Sequence, residues 1–166
     1  MNFDWEAEQS EIKEKVAGLF EEIPIRELDV TSDVQGLKKM MMGFLGKLAE
    51  IGYLGLGVGP EGQKDLVSLI AAQEALAGVS GSLFLAVETT ARLFGGLVEG
   101  WGAEALKGEV TGPLQKGSLL TALAFADPPG GDEAKTVARQ DGDVFVVSGK
   151  KDFVTNGPIA DLIAVA

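Results

Sequence analysis

The hydrophobic repeat of this chain changes once along its length, and that change limits it to one fold class. Ile12, Val16, Leu19, Phe20 and Ile23 form one helical stripe within a helix expected over Asp4 to Ile23, which Pro24 ends. Leu37, Met41, Phe44, Leu45 and Leu48 repeat that spacing, and Gly52 is placed to cap the second helix. Gly52 to Gly62 is too rich in glycine for regular structure. A third helix is expected over Asp65 to Ala77. Gly78 and Gly81 part it from a fourth, Ser82 to about Val98, whose Leu83, Phe84, Leu85, Val87, Leu93 and Phe94 predict a central, buried rod. A short fifth helix from Ala103 to about Glu109 is closed by Gly112-Pro113.

Beyond that point the pattern is that of strands. Leu119 to Ala126 is an extended apolar run. Thr136 to Gln140 and Val144 to Ser148 flank Asp141-Gly142-Asp143, a hairpin signal, and Leu162 to Ala166 reads as another strand. Helices first and strands afterwards mean an α+β layout and not alternating βαβ units. The expectation is an N-terminal α-helical bundle over residues 1–117, then an incomplete antiparallel β-domain over 118–166. So few strands leave open edges, which natural proteins cover, so the chain is expected to be a piece of something longer.

Composition excludes several kinds of chemistry. The 166 residues contain no cysteine and no histidine, so disulfides, thiolate or imidazole metal sites, cysteine nucleophiles and histidine bases are absent. Reactive groups must be carboxylates, lysine, hydroxyls, backbone or a bound cofactor. A net charge of −11 repels nucleic acid and anionic membranes alike. With 46% hydrophobic residues the chain can bury a sizeable core. Met1 to Glu6 lacks the basic region of a signal peptide, and no apolar run reaches about 18 residues. A soluble, cytoplasmic protein without nucleic-acid or membrane partners is expected.

One segment carries a ligand-site signal. Lys150-Lys151-Asp152-Phe153-Val154-Thr155-Asn156-Gly157-Pro158 follows a strand and ends in a strong turn, because Asn and Gly tolerate positive φ and Pro fixes the exit. Such a turn offers the Thr155 hydroxyl and backbone N–H groups to a ligand. The segment resembles the Trp-Ile-Thr-Asn-Gly loop of the acyl-CoA dehydrogenase family, with Phe153 in the tryptophan's place. Leu48 to Leu56 is similar to that family's helix-end phrase, Trp101-Gly102-Ala103-Glu104-Ala105-Leu106-Lys107 to the opening of its short fifth helix, and Gly112-Pro113-Leu114 to its Leu-Pro-x-Leu. Ala126-Asp127-Pro128-Pro129-Gly130-Gly131-Asp132-Glu133 stands where the family has Thr-Glu-Pro-x-Ala-Gly-Ser-Asp.

The resemblance covers the whole chain and implies the N-terminal helical domain and the start of the middle β-domain of a flavoprotein oxidoreductase. It implies FAD as cofactor, with Thr155, Phe153, Ala126, Asp127 and Asp132 as the cofactor-facing positions. It also implies an acyl-CoA or acyl-carrier thioester oxidised at its α and β carbons in fatty acid metabolism, by a homo-oligomer or heteromer. The family's catalytic base lies in a C-terminal helical domain, so no residue here is nominated and this chain alone is not expected to turn over substrate. Three positions depart from the pattern, Phe153 in the tryptophan's place being one. Ala126 replaces a threonine, removing a hydrogen bond worth about 0.5–1.5 kcal/mol, and Asp132 replaces a serine with a charge of the wrong sign for a pyrophosphate. They motivate an alternative, a non-catalytic partner subunit or acyl-thioester binding module; a flavin oxidase of the same fold is a third reading.

Other conspicuous residues have ordinary explanations. Met40-Met41-Met42 fits core filler and solvent edge, and Lys150-Lys151 a solvated hairpin turn. Glu88 fits helix-surface exposure or a paired structural carboxylate, and Trp101 an aromatic packing the end of the buried helix.

Overall fold

The computed structural model describes residues 4–21, 33–59, 65–129 and 136–166. Ile23 and Pro24, the end of the Gly52 to Gly62 loop and Asp132 lie outside the described residues. Among the described residues, six α-helical segments come first: α1 (Ala7–Glu21), α2 (Val34–Glu50), α3 (Leu66–Val79), α4 (Gly81–Glu88), α5 (Gly95–Trp101) and α6 (Glu104–Gln115). A π-helical turn, Thr89–Phe94, joins α4 to α5, so the expected fourth helix is a rod with a wide turn inside it. The strands are β1 (Thr121–Ala124), β2 (Val137–Asp141), β3 (Val144–Ser148) and β4 (Leu162–Val165).

Three of the helices, α2, α3 and α4, start where short polar side chains take up free N–H groups. Asp33 accepts from the Gln35 N–H, Asp65 from that of Ser68, and Ser80 from that of Leu83. Gly52, at φ +80, follows α2 as expected. The fifth helix runs through Gly112-Pro113 to Gln115, past the expected stop. Pro113 sits in its last turn, where it removes the one N–H bond that would reach the Glu109 carbonyl while the helix runs on to Gln115, and the terminator is Gly117. Gly117 has φ +66, and its N–H reaches the Leu114 carbonyl at 3.0 Å. A Cβ there would meet the Leu45 backbone at 2.4 Å, so glycine also lets α6 close onto α2.

The main core lies among α1, α2, α3 and the first half of the rod. Val16, Leu45, Leu48, Leu76 and Val87 are fully buried, and Phe20 stacks on Phe44 at 5.7 Å. A smaller cluster, Phe94, Val98, Val110 and Leu114, joins α5 to α6. Met41 is core while Met40 and Met42 pack at its edge, as the spacing predicts. The rod is not buried all round: Leu85 and Leu93 are half exposed, because the described elements flank it on one side. Trp101 is 83% exposed at the last residue of α5, beyond the α5–α6 cluster, and does not pack the helix end.

The strands form two pairs. β2 and β3 make the expected antiparallel hairpin, turning at Gly142 with φ +61. β1 and β4 pair parallel, Thr121 against Leu162 through Ala124 against Val165, so the expected antiparallel arrangement holds for the hairpin but not for this pair. The 37 residues between those strands supply the crossover that parallel pairing needs. β1 is buried against the π turn, whereas every residue of the hairpin is exposed.

Candidate functional site

The helical layer and the strands meet at a buried polar joint. Thr90, in the π turn, and Thr121, opening β1, are 1% and 0% exposed. Thr90 Oγ1 donates to the Thr121 carbonyl at 3.2 Å and accepts from its N–H at 3.3 Å, while Thr121 Oγ1 donates to the Thr90 carbonyl at 3.5 Å. A π turn loosens the local i to i+4 ladder, which leaves carbonyls open to side-chain donors. Asn156 uses one of them: its Nδ2 lies 2.8 Å from the Ala86 carbonyl, 3.1 Å from that of Thr121 and 3.3 Å from Thr90 Oγ1.

Asn156 belongs to the turn singled out in the sequence. It is left-handed at φ +64, its carbonyl accepts from the N–H groups of Ile159 and Ala160, and Gly157 N–H donates to the Val154 carbonyl. Pro158 opens the following 3-10 turn, Gly157–Ile159. Asp161 then fixes the entry to β4. It pairs with Lys38, its Oδ2 accepts from the Leu120 N–H at 3.0 Å, and its own N–H donates to the Leu120 carbonyl. Burial pushes the Asp161 carboxyl up, but the bonds from Lys38 and Leu120 outweigh it and hold the group below its ordinary value.

The residues nominated from the sequence gather around this turn. Ala126 pairs with Asp152 in a single antiparallel bridge, Asp152 N–H to Ala126 carbonyl at 2.9 Å. Lys151 Nζ reaches Asp127 Oδ1 at 2.6 Å and the Phe125 carbonyl at 3.5 Å. The Lys151 side chain is only 10% exposed, so the expected solvated pair divides: Lys150 is solvated and Lys151 is a latch. Phe153 is 91% exposed at φ +55, a backbone region that costs a bulky residue about 1–3 kcal/mol. Thr155 is half-buried, and its hydroxyl makes no hydrogen bond among the described residues. Ala126, Asp127, Phe153 and Thr155 thus share one corner.

Two cavities flank the turn. One, of about 390 Å³, is mostly apolar and lies between α2, the start of α4 and Asn156, Pro158 and Ile159. The other, of about 630 Å³, opens between the hairpin, β4 and Phe153, Val154 and Gly157. Thr136 lines the second, and its Oγ1 is buried without a hydrogen-bond partner.

A second polar network surrounds Glu88, whose partners the sequence does not reveal. Glu88 accepts from the Tyr53 hydroxyl at 2.7 Å and from Gln73 Nε2 at 2.6 Å, with Arg92 Nε 3.7 Å away. Arg92 also donates to the carbonyls of Tyr53 and Leu54 and lies 4.7 Å from the centre of the Tyr53 ring. Burial first, then the charge and hydrogen bond of Glu88, push the Tyr53 phenol far above its ordinary range, with Arg92 opposing. Burial lowers the Arg92 guanidinium from its ordinary value, against the pull of Glu88 and Tyr53. Glu88 is therefore a paired structural carboxylate. The i, i+4 pair Glu88–Arg92 in an apolar helix was the signal available.

No family model matches the chain. Among curated relatives, the short-chain-specific acyl-CoA dehydrogenase of Clostridium acetobutylicum is 27% identical over 171 residues, covering 99% of this chain and 44% of that protein. The mitochondrial isovaleryl-CoA dehydrogenase of Bos taurus is 27% identical, covering 95% of this chain and 38% of the relative. The solved acyl-CoA dehydrogenase from Geobacillus kaustophilus superposes with a TM-score of 0.79 at 25% identity, over 100% of this chain and 44% of its own. The chain belongs to the acyl-CoA dehydrogenase family. It spans less than half the length of these curated relatives. The family fold is matched through both the helices and the first strands. It extends to a Mycobacterium smegmatis glutaryl-CoA dehydrogenase solved with FADH2, at 21% identity and a TM-score of 0.75. Among the described residues of this family member, no cluster of acidic side chains could hold a metal ion, and no helix is long and apolar enough to cross a membrane.

Proposed function

We propose that this chain forms the N-terminal part of a flavin-dependent acyl-CoA dehydrogenase, with residues 1–117 as a helical domain and 118–166 opening a β-domain. The observation that carries the reading is the corner itself: Ala126, Asp127, Phe153 and Thr155 lie together, and Phe153 rims the 630 Å³ cleft. The donor set suits FAD. The unbonded Thr155 hydroxyl, the exposed Phe153 ring and the orphaned Thr136 Oγ1 are groups that a planar, acceptor-rich cofactor would use. A flavin, when bound, supplies the acceptor for the β-hydride of an acyl thioester. This chain's share is binding and orientation: Thr155 and Phe153 toward the cofactor, and α2 with the start of α4 as a wall for the acyl chain.

No base is assigned to this chain. Each acid beside the turn is already paired, Asp127 with Lys151, Asp152 with Lys150 and Asp161 with Lys38, and Glu88 is held by Tyr53, Gln73 and Arg92. The substrate is an acyl-CoA or acyl-carrier thioester, and the working protein is a cytoplasmic homo-oligomer or heteromer. The product of the native gene is expected to carry FAD and to lose its yellow colour when an acyl-CoA is added. A colourless protein that refuses added FAD would sink the reading. The second reading, a non-catalytic partner subunit, is favoured by Ala126, which offers no hydroxyl where the family pattern has one; turnover by the homomeric protein would rule it out.

A further inference from the structure

We propose that Asn156 is a positioning residue whose carboxamide, and not its backbone alone, sets the register of the Thr155 turn on the π turn of the α4–α5 rod. The two contributions can be separated chemically. A left-handed backbone at φ +64 suits Gly, Asn or Asp. The second contribution suits only an amide, because Nδ2 faces three oxygen acceptors, the Ala86 and Thr121 carbonyls and Thr90 Oγ1. A carboxylate in that place would set its own lone pairs against the Ala86 and Thr121 carbonyls.

The amide bridges three elements at one point. Ala86 belongs to α4, Thr90 to the π turn and Thr121 to β1, and the last two are almost fully buried. Among the described residues from Val154 to Pro158, Asn156 alone has a side-chain hydrogen bond to the helical layer. The Thr155–Asn156 peptide therefore takes its position from the carboxamide, and Thr155 Oγ1 follows it directly. Ala86 and Asn156 also share the wall of the 390 Å³ cavity, so the bond between them lies where the apolar cavity meets the turn. The consequence for cofactor binding rests on the reading that Thr155 faces a flavin; the register itself does not.

Asn156→Asp and Asn156→Gly in the product of the native gene test this, read by amide hydrogen exchange and by the flavin spectrum. Both variants should speed exchange at the Gly157, Ile159 and Ala160 N–H groups by at least about tenfold relative to amides of α1. Both should weaken FAD binding by about tenfold and shift the visible flavin band. Native exchange at these amides in Asn156→Gly would overturn the proposal, and that variant decides the matter if Asn156→Asp does not fold. Faster exchange with unchanged FAD affinity and an unchanged flavin band would also overturn it, leaving Asn156 a stabilising staple only. A native protein that binds no flavin defeats the enzymatic reading alone, because the exchange comparison still decides the register.

Discussion

Tyr53→Phe isolates one buried hydrogen bond at the centre of the helical layer. Tyr53 is fully buried, and its hydroxyl lies 2.7 Å from Glu88 Oε1. Phenylalanine keeps the ring and with it the stacking of Arg92, 4.7 Å from the ring centre, so the change removes the hydroxyl and little else. A hydrogen bond to a charged group contributes about 1.5–3 kcal/mol. Glu88 keeps Gln73 at 2.6 Å and Arg92 at 3.7 Å, so no buried charge is stranded and the loss stays below the roughly 3–5 kcal/mol of a broken buried ion pair. At about 2–4 °C per kcal/mol for a domain of roughly this size, Tm should fall by about 3–12 °C. Urea unfolding of the native gene product, followed by circular dichroism, measures the loss. A cycle with Glu88→Gln should give a coupling of about 1–2 kcal/mol. The phenol is raised in the folded state, so its contribution is complete below the unfolded tyrosine pKa near about 10 and fades only above it. A loss under about 0.5 kcal/mol, or strictly additive single changes, would show that the bond is not made in solution.

Gly117→Ala should cost about 2–5 kcal/mol, from a left-handed backbone and a Cβ driven into the Leu45 backbone, and thermal unfolding would report it; a neutral result would mean that α6 does not close onto α2 there. Asp161 has a depressed folded pKa, so its share of stability is present above the unfolded value and lost as pH falls through the folded one. Acid titration of stability should therefore flatten in Asp161→Asn below about pH 4, and an unchanged acid limb would refute the pairing with Lys38 and Leu120. Lys151→Met keeps the buried stem and removes the ammonium. It should cost about 0.5–1 kcal/mol, given that Asp127 is half exposed, and should speed exchange at the Asp152 N–H that bonds Ala126.

Helical stripes were legible because burial of one face writes itself into the spacing of residues such as Val16, Leu45 and Leu48. The hairpin was legible because Gly142 supplies the positive φ its turn needs. Pairing was not: nothing local in Thr121–Ala124 says that its partner, Leu162–Val165, lies far along the chain and runs parallel. Pro113 suggests a stop because proline blocks helix interiors, yet so near the end it removes a single helix bond and the last residues still wind, so Gly117 is the better signal. At the candidate site, Thr155 and Phe153 were visible as turn residues. The role of Asn156 was not, since its three acceptors come from Ala86, Thr90 and Thr121 and exist together only in the folded chain. Lys151 was hidden for the same reason: its partner Asp127 sits 24 positions away.

The π turn at Thr89–Phe94 gives the rod a change of phase. Each residue of an α-helix advances the side-chain direction by about 100°, so one extra residue per turn swings every later position round the axis by nearly a third of a revolution. Leu83 and Val87 before the turn point into the main core, while Phe94 and Val98 after it point into the α5–α6 cluster. One helix thus serves two cores that a straight rod would present out of step. Regular winding of the same sequence would turn Phe94 and Val98 away from Val110 and Leu114, whereas deleting a single residue within 89–93 would restore regular winding and leave them in place. For this stretch, chain length encodes as much as chemical identity.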